Sequence, residues 1–380
     1  MGMIIMGGKI NSWIIVIVSS LFLLASCVSI DKEKPNLDEP VGEGKQETAK
    51  PEQKPDLVPV EIKQANVDKI YGWLDDQTIL YSYVQEGSYI IASYELFNGS
   101  SRIIFTSEHP INNVKIHQSG QMLFVHTSKS SYAATVYFID PRGNTFYSTE
   151  IESHELTYKW NEQDPNLMLV TAFYEDWSYE TMYIHVEDRT INKVEGLQPF
   201  MKWIGENGIL EQEWNREEQE FFAPIIKKSL DNMEAGQRLI EQVYRFDVLG
   251  NKLMTINVPT NRPDIMEYHF YDQNLEQYST IVTPNLTQYT DWLIPFYDYM
   301  DSNHVFLSFV PKKHESADSY KEGFQLISFN LQENTKKVII DQLDNKPISC
   351  APNGKYCLYG HLFEQLLDLD SAKIFNLIIK

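Results

Sequence analysis

Along the chain, short apolar runs alternate with polar turns, and one phrase keeps returning: an apolar anchor, a polar turn, then a second apolar run. It is plainest at 71–81, where Trp73 precedes Asp75-Asp76-Gln77 and the run Ile79-Leu80-Tyr81, and its clearest echo is 349–359. With the anchor set six residues before the second run, further copies are Ile116 with Met122, Trp203 with Ile209, Tyr299 with Val305 and Cys350 with Tyr356; Trp160 with Leu167 fits with one extra residue. Runs rich in Tyr, Val, Ile and Phe and closed by Asp, Asn or Gly predict short strands joined as hairpins.

The anchors Trp73, Ile116, Trp160, Trp203, Tyr299 and Cys350 recur at intervals of 43, 44, 43, 96 and 51 residues. Each is followed by a second hairpin in which an apolar strand meets an acidic or amide residue and a turn, as at Phe138-Ile139-Asp140 before Pro141-Arg142-Gly143, or Tyr244 to Asp247 before Leu249-Gly250-Asn251. Intervals in the low forties match four-stranded propeller blades. Six copies of each hairpin predict an all-β fold, a six-bladed β-propeller over residues 61–380, and the even spacing disfavours a two-sheet sandwich. The segment 58–62 is a candidate outer strand closing the ring on the last blade.

The interval of 96 holds about one blade's length of extra chain, beyond the forty-odd residues a blade needs. One part, 215–238, falls between the second and third strands of the fourth copy. It reads as partly helical, with Glu217, Glu218 and Glu220 before Phe221 and Phe222, then Ile225, Ile226, Leu230 and Met233. The other, 260–295, is dense in aromatic residues. The alternative is seven blades, with a degenerate one within 265–284. In an antiparallel four-stranded blade, the loop between strands two and three emerges on the same face as the loop to the next blade. Both insertions should therefore share one rim with the loops 173–180 and 311–323. The aromatic residues placed there, Trp177, Trp214, Phe221, Phe222, Tyr289 and Trp292, are the candidate partner-binding rim. The competing reading is that they pack the insertions onto the blades.

The N-terminus supplies an address. Residues 1–26 carry one charged side chain, Lys9, before an apolar run from Trp13 to Leu24 that suits a signal peptide better than a membrane span. Leu24-Ala25-Ser26-Cys27 resembles the lipobox of bacterial lipoproteins, which implies lipidation of Cys27 and anchoring on the extracytoplasmic face of the cell membrane. Residues 27–60, with Pro35, Pro40, Pro51, Pro55 and Pro59 and no aromatic side chain, read as a disordered acidic tether.

Composition sharpens this without naming a ligand. Among 380 residues, 53 Asp and Glu outweigh 32 Lys and Arg, a formal charge of -21 that disfavours nucleic acid and anionic surfaces. Signatures of serine hydrolases, zinc peptidases, phosphate loops and EF-hands are missing, and the nine His are scattered, so no catalytic residue, metal or cofactor is assigned. Cys350 and Cys357 flank Pro352-Asn353-Gly354-Lys355. A two-residue turn sets them directly across the hairpin, placed for a disulfide, whereas a three-residue turn makes the pair diagonal.

Lipobox, tether and blades together resemble the YqgU-like lipoproteins of Gram-positive bacteria, loosely over 27–380. The resemblance implies a six-bladed propeller at the membrane and no particular activity. The function expected is a lipid-anchored module that binds a protein or a cell-envelope polymer. The alternative is a propeller hydrolase with a metal or carboxylate site over the central channel.

Overall fold

Strands two and three of each repeat are apolar on both faces, since each sheet is packed between two neighbours; Leu167–Phe173, for instance, is buried from Leu167 to Ala172. The outermost strands show the exposed alternation of a solvent face, as in Thr145–Glu152. This is why the central strands appear as unbroken apolar runs rather than alternating ones. The computed structural model describes residues 56–60, 66–215 and 220–379. The signal segment 1–26, Cys27 and most of the tether lie outside the described residues.

Residues 54–380 form one compact unit. Among its described residues are seven four-stranded antiparallel sheets, each built from consecutive strands except the sixth, whose second and third strands are separated by Glu315–Ser316 of a small three-stranded sheet. Their innermost strands are Asn66–Trp73, Ile111–Ile116, Glu155–Trp160, Lys202–Ile204, Arg245–Leu249, Tyr297–Met300 and Ile348–Cys350, in blades one to seven. The fold is an all-β propeller. Its sheets number seven, as in the alternative reading, and the extra blade is complete rather than degenerate. Blade five takes its first two strands from Arg245–Leu249 and Lys252–Asn257, and its outer two from Ile265–Tyr271 and Gln277–Pro284.

Among the described residues, no helical insertion accompanies it. The predicted insertion 215–238 contains strand three of blade four, Ala223–Ser229, and much of strand four, Asn232–Val243; Glu217 and Glu218 lie outside the described residues. Three register shifts between these strands break the period-two alternation, and the apolar positions then fall at helix-like offsets. The other described residues of 215–238 are Asn215, 220–222 and the turn Leu230-Asp231. The one helical turn among the described residues is the 3-10 segment Asp301–Asn303.

Closure joins blade seven to blade one. Trp73 Nε1 donates to Ser349 O at 2.8 Å, and Asn353 N donates to Asp76 Oδ1 at 2.8 Å. Residues 56–60 lie across the same junction: Val60 bridges Ile378 in parallel, while Val58 N donates to Leu96 O at 2.7 Å. The propeller thus begins before residue 61, but blade seven completes its own four strands without a strand from the N-terminus. Cys350 and Cys357 face each other across its first hairpin and are joined, with S–S 2.01 Å. The turn between them is neither of the lengths weighed: Ala351 N donates to Tyr356 O, leaving four residues, and Gly354 supplies the left-handed backbone with φ 69°.

Candidate functional site

The two rims of the propeller differ in chemistry. One carries the turns between strands one and two and between strands three and four. Acidic and amide side chains there are used to hold the turns. Asp140 Oδ1 accepts from Arg142 N and Asn144 N, both at 2.8 Å; Asp272 and Asn330 do the same in blades five and six. The polar residue that recurs in each second hairpin is therefore turn chemistry. Among the described residues, no exposed aromatic side chain lies within the hairpin turns of this rim, although Val58, Phe146 and Tyr278 stand exposed beside them.

The opposite rim carries the strand two-to-three loops and the links between blades. Six exposed aromatic residues stand there: Tyr132, Trp177, Phe200, Phe221, Tyr289 and Phe296. Trp177 is 91% exposed and Tyr289 100%. Trp177 sits on a tight turn with φ 66°, held by Tyr174 N donating to Ser178 O and by Asp176 Oδ1 accepting from Ser178 N. Nothing apolar covers it.

The expected neighbours on this rim do meet. Leu286–Thr287, in the link from blade five to blade six, pairs in parallel with Glu315–Ser316 of the loop 311–324. Beside that pair, His314 Nδ1 lies 2.7 Å from Asn285 Oδ1.

Of the sequence candidates, Phe221, Phe222 and Trp292 come together, with ring centroids of Trp292 at 6.0 Å from Phe221 and 6.1 Å from Phe222. Tyr244 completes the group at 5.2 Å from Trp292, edge to face, and its hydroxyl donates to Trp292 O at 3.1 Å. The Arg245 guanidinium lies 4.4 Å from the Tyr244 ring centre and 5.9 Å from that of Trp214. Phe222 and Trp292 pack inward on the core between blades five and six. Phe221, 45% exposed, is the open face of the cluster. Trp177 and Tyr289 have no ring contact with it. The packing reading thus holds for Phe222 and Trp292, whereas Trp177, Phe221 and Tyr289 are exposed. Sequence reasoning missed Tyr244 and Arg245, because Tyr-Arg-Phe-Asp reads as a strand end, and missed Tyr132, Phe200 and Phe296 as isolated residues in short loops.

Charge gathers on the axis. The position just before each anchor pairs with a core residue of strand two, and going round the ring it holds Gly72, Lys115, Lys159, Lys202, Asp247, Asp298 and Ser349. Three cations on consecutive blades are followed by two carboxylates. Lys202 Nζ meets Asp247 Oδ1 at 2.5 Å. Burial pushes the Asp247 carboxyl up, but Lys202, Lys159 and the Tyr297 hydroxyl outweigh it and hold it below the usual range. Asp298 accepts from Cys350 N at 2.6 Å and Tyr299 N at 2.8 Å, yet burial raises its pKa to about 6. Among the described residues no carboxylate pairs with Lys115, and desolvation, then the like charges of Lys159 and Lys69, lowers its pKa. Among the described residues, no group of three His, Cys, Asp or Glu side chains is arranged to hold a metal ion.

A sequence model described as the YqgU-like 6-bladed beta propeller domain matches residues 95–360. That stretch spans blades two to six with parts of one and seven. The uncharacterized lipoprotein YqgU of Bacillus subtilis is 27% identical over 337 residues, 88% of this chain and 90% of that protein. Among solved structures, an uncharacterized protein, lmo1340, of Listeria monocytogenes EGD-e superposes with TM-score 0.79 at 20% identity, covering 86% of this chain and 98% of that one. The β-propeller domain of the trilobed protease of Pyrococcus furiosus, described as having an open velcro topology, superposes with TM-score 0.56 at 13% identity, covering 83% and 99%. At these identities the two structures speak for the fold alone.

Proposed function

Because the chain belongs to the YqgU-like propeller family, we propose that it is a lipid-anchored extracytoplasmic protein whose propeller docks a protein partner on its aromatic rim. The anchor rests on the lipobox at Cys27 and on the lipoprotein designation of the Bacillus relative. The docking reading rests on one observation: the exposed aromatic side chains in loops gather on one rim and are missing from the described loops of the other. Trp and Tyr on well-held loops carry large contact area at low ordering cost and dominate protein interfaces. A polyanionic envelope polymer fits less well, since the chain's formal charge of -21 repels it. A protein with a basic face fits both the charge and the rings.

The reading gives no support to hydrolysis. Asp247 and Asp298, the axial carboxylates, are each engaged by donors of the protein itself.

Deleting 215–238 would remove two strands of blade four, so point substitutions make the better test. The variant Trp177→Ala/Phe221→Ala/Tyr289→Ala alters only exposed side chains and should shift stability by about 1 kcal/mol or less. In intact cells it should remain membrane-bound and lose about tenfold or more of its cross-linked partner, the loss that 1.4 kcal/mol of hot-spot contact represents. Cys27→Ser should release the chain from the membrane with the rim intact. Undiminished cross-linking in the triple variant overturns the docking reading, and a membrane-bound Cys27→Ser protein overturns the anchor.

A further inference from the structure

The links that enter and leave blade two bound a cavity of about 430 Å³ on the aromatic rim, where blade two meets blade three. Ligand sites of proteins commonly fall between about 300 and 1,000 Å³. The polar lining is hydroxyl, amide and imidazole: serines of the loop after strand two, Asn112, Ser153, and the histidines His109, His126 and His154. In a chain with 53 Asp and Glu, no described carboxylate lines it. Its one lysine, Lys129, lies 3.7 Å from Glu150.

Two side chains at this cavity are buried without partners. His126 is 8% exposed and Ser153 6%, yet neither the imidazole nor the Ser153 hydroxyl makes a hydrogen bond or ion pair to any described residue. The His126 ring meets Tyr158 edge to face at 6.1 Å, a contact that leaves its nitrogens unused. Burial lowers its pKa to about 4, so at neutral pH one ring nitrogen donates and the other accepts. The groups around them hold the loop instead: Asn112 Nδ2 donates to Ser128 Oγ at 2.7 Å, and Tyr132 N to Ser130 Oγ at 3.3 Å. Polar groups so deeply buried are ordinarily paired, and a ligand that pairs them offsets the cost of their desolvation.

We propose that this cavity binds a neutral saccharide unit, whose hydroxyl groups pair with His126 and Ser153 while one face of the sugar ring lies against Tyr132. A hydroxyl both donates and accepts, as do serine and a neutral imidazole, so the two sets match without net charge on either side. An anion would meet no free lysine or arginine here, and a cation no carboxylate. Tyr132, 63% exposed, is tied to the cavity wall by its carbonyl, which accepts from Ser153 N at 3.0 Å, and its ring stands 6.3 Å from that of His154. An open aromatic ring beside hydrogen-bonding groups suits the C–H face and hydroxyl edge of a pyranose. The site is separate from protein docking, since none of Trp177, Phe221 and Tyr289 lines the cavity.

The test places the intact chain in phosphatidylcholine nanodiscs with glucose, galactose, N-acetylglucosamine or glucuronate, and reads saturation transfer to each sugar by NMR. At least one neutral sugar should show saturable transfer and bind more tightly than glucuronate. His126→Phe keeps a flat ring and removes both nitrogens, and should weaken that binding about tenfold, a change of 1.4 kcal/mol. Ser131→Trp alters only an exposed loop side chain at the cavity and should abolish it by filling the mouth. The Trp177→Ala/Phe221→Ala/Tyr289→Ala variant should bind the sugar as the parent does, so a failure of the docking reading leaves this result untouched. The proposal is overturned if no neutral sugar saturates up to about 10 mM, if glucuronate is preferred, or if binding is unchanged in either His126→Phe or Ser131→Trp.

Discussion

An Asp298→Asn variant is expected to lose about 3 kcal/mol of stability relative to the parent protein between pH 6.5 and pH 4. Two buried groups oppose each other in that window. Asp298 has its pKa raised by burial from 3.8 to about 6. The folded state therefore binds its proton more tightly, and the stability this confers is complete below 3.8 and lost as pH rises through 6. His126 has its pKa lowered by burial from 6.5 to about 4. Here the unfolded chain binds the extra proton, so stability is complete above 6.5 and lost as pH falls through 4. Each shift of about two units is worth about 3 kcal/mol, with opposite sign. Lowered His117 adds to the histidine side and raised Glu162 to the carboxyl side, in both cases chiefly through burial. Removing Asp298 leaves the histidine slope, whereas His126→Gln should leave the opposite one and make the protein more stable toward acid. Thermal melts at pH 4, 5 and 6.5 check this. Parallel curves for parent and variants would sink it.

What the sequence reveals of the fold depends on which physical constraint marks a repeat. Where the innermost strand ends in an indole or an aliphatic group packed against the preceding blade, as with Trp73, Trp160 and Trp203, the anchor is visible and the interval counts correctly. Blade five ends in Asp247-Val248, an ion-pairing residue before a modest aliphatic one, so it drops out of the count. Its first hairpin is then assigned to blade four and its second becomes an insertion. Rim membership survives that error, because it follows from strand polarity alone. The loops at 286–287 and 315–316 pair whichever blade number they carry.

The candidate site was legible to a different degree. Trp177 and Tyr289 were found because a large aromatic side chain in a predicted loop stands out. Inward packing was offered as a reading, but that it falls to Phe222 and Trp292 was not legible, since it depends on Tyr244 standing 48 residues before Trp292 in sequence yet in contact with it. The axial ring is harder still. Lys115, Lys159, Lys202, Asp247 and Asp298 are isolated charges, each in a different strand, and they share a position only once strand registers are known. No local motif records a contact made by symmetry.

Asp247→Ala should be among the most destabilising single substitutions on the axis, by about 3–5 kcal/mol. Its carboxylate links three blades: Oδ1 takes Lys202 Nζ of blade four at 2.5 Å and its own blade's Val248 N at 2.8 Å, and Oδ2 takes the Tyr297 hydroxyl of blade six at 2.8 Å. Without it, Lys202 keeps only Phe246 O at 3.2 Å for a charge that burial already disfavours. The Tyr297 hydroxyl loses its acceptor as well. The cost therefore lies mainly in stranding Lys202, more than in losing favourable pairing energy, because two charges brought out of water nearly cancel their own attraction. Lys202→Met should accordingly restore most of the loss when combined with Asp247→Ala, leaving a deficit of about 1 kcal/mol for the Tyr297 bond. Urea unfolding of the parent, the two single variants and the pair measures the coupling directly. If the two substitutions simply add, Lys202 is not stranded in the single variant, and Asp247 acts only through its hydrogen bonds to Val248 and Tyr297.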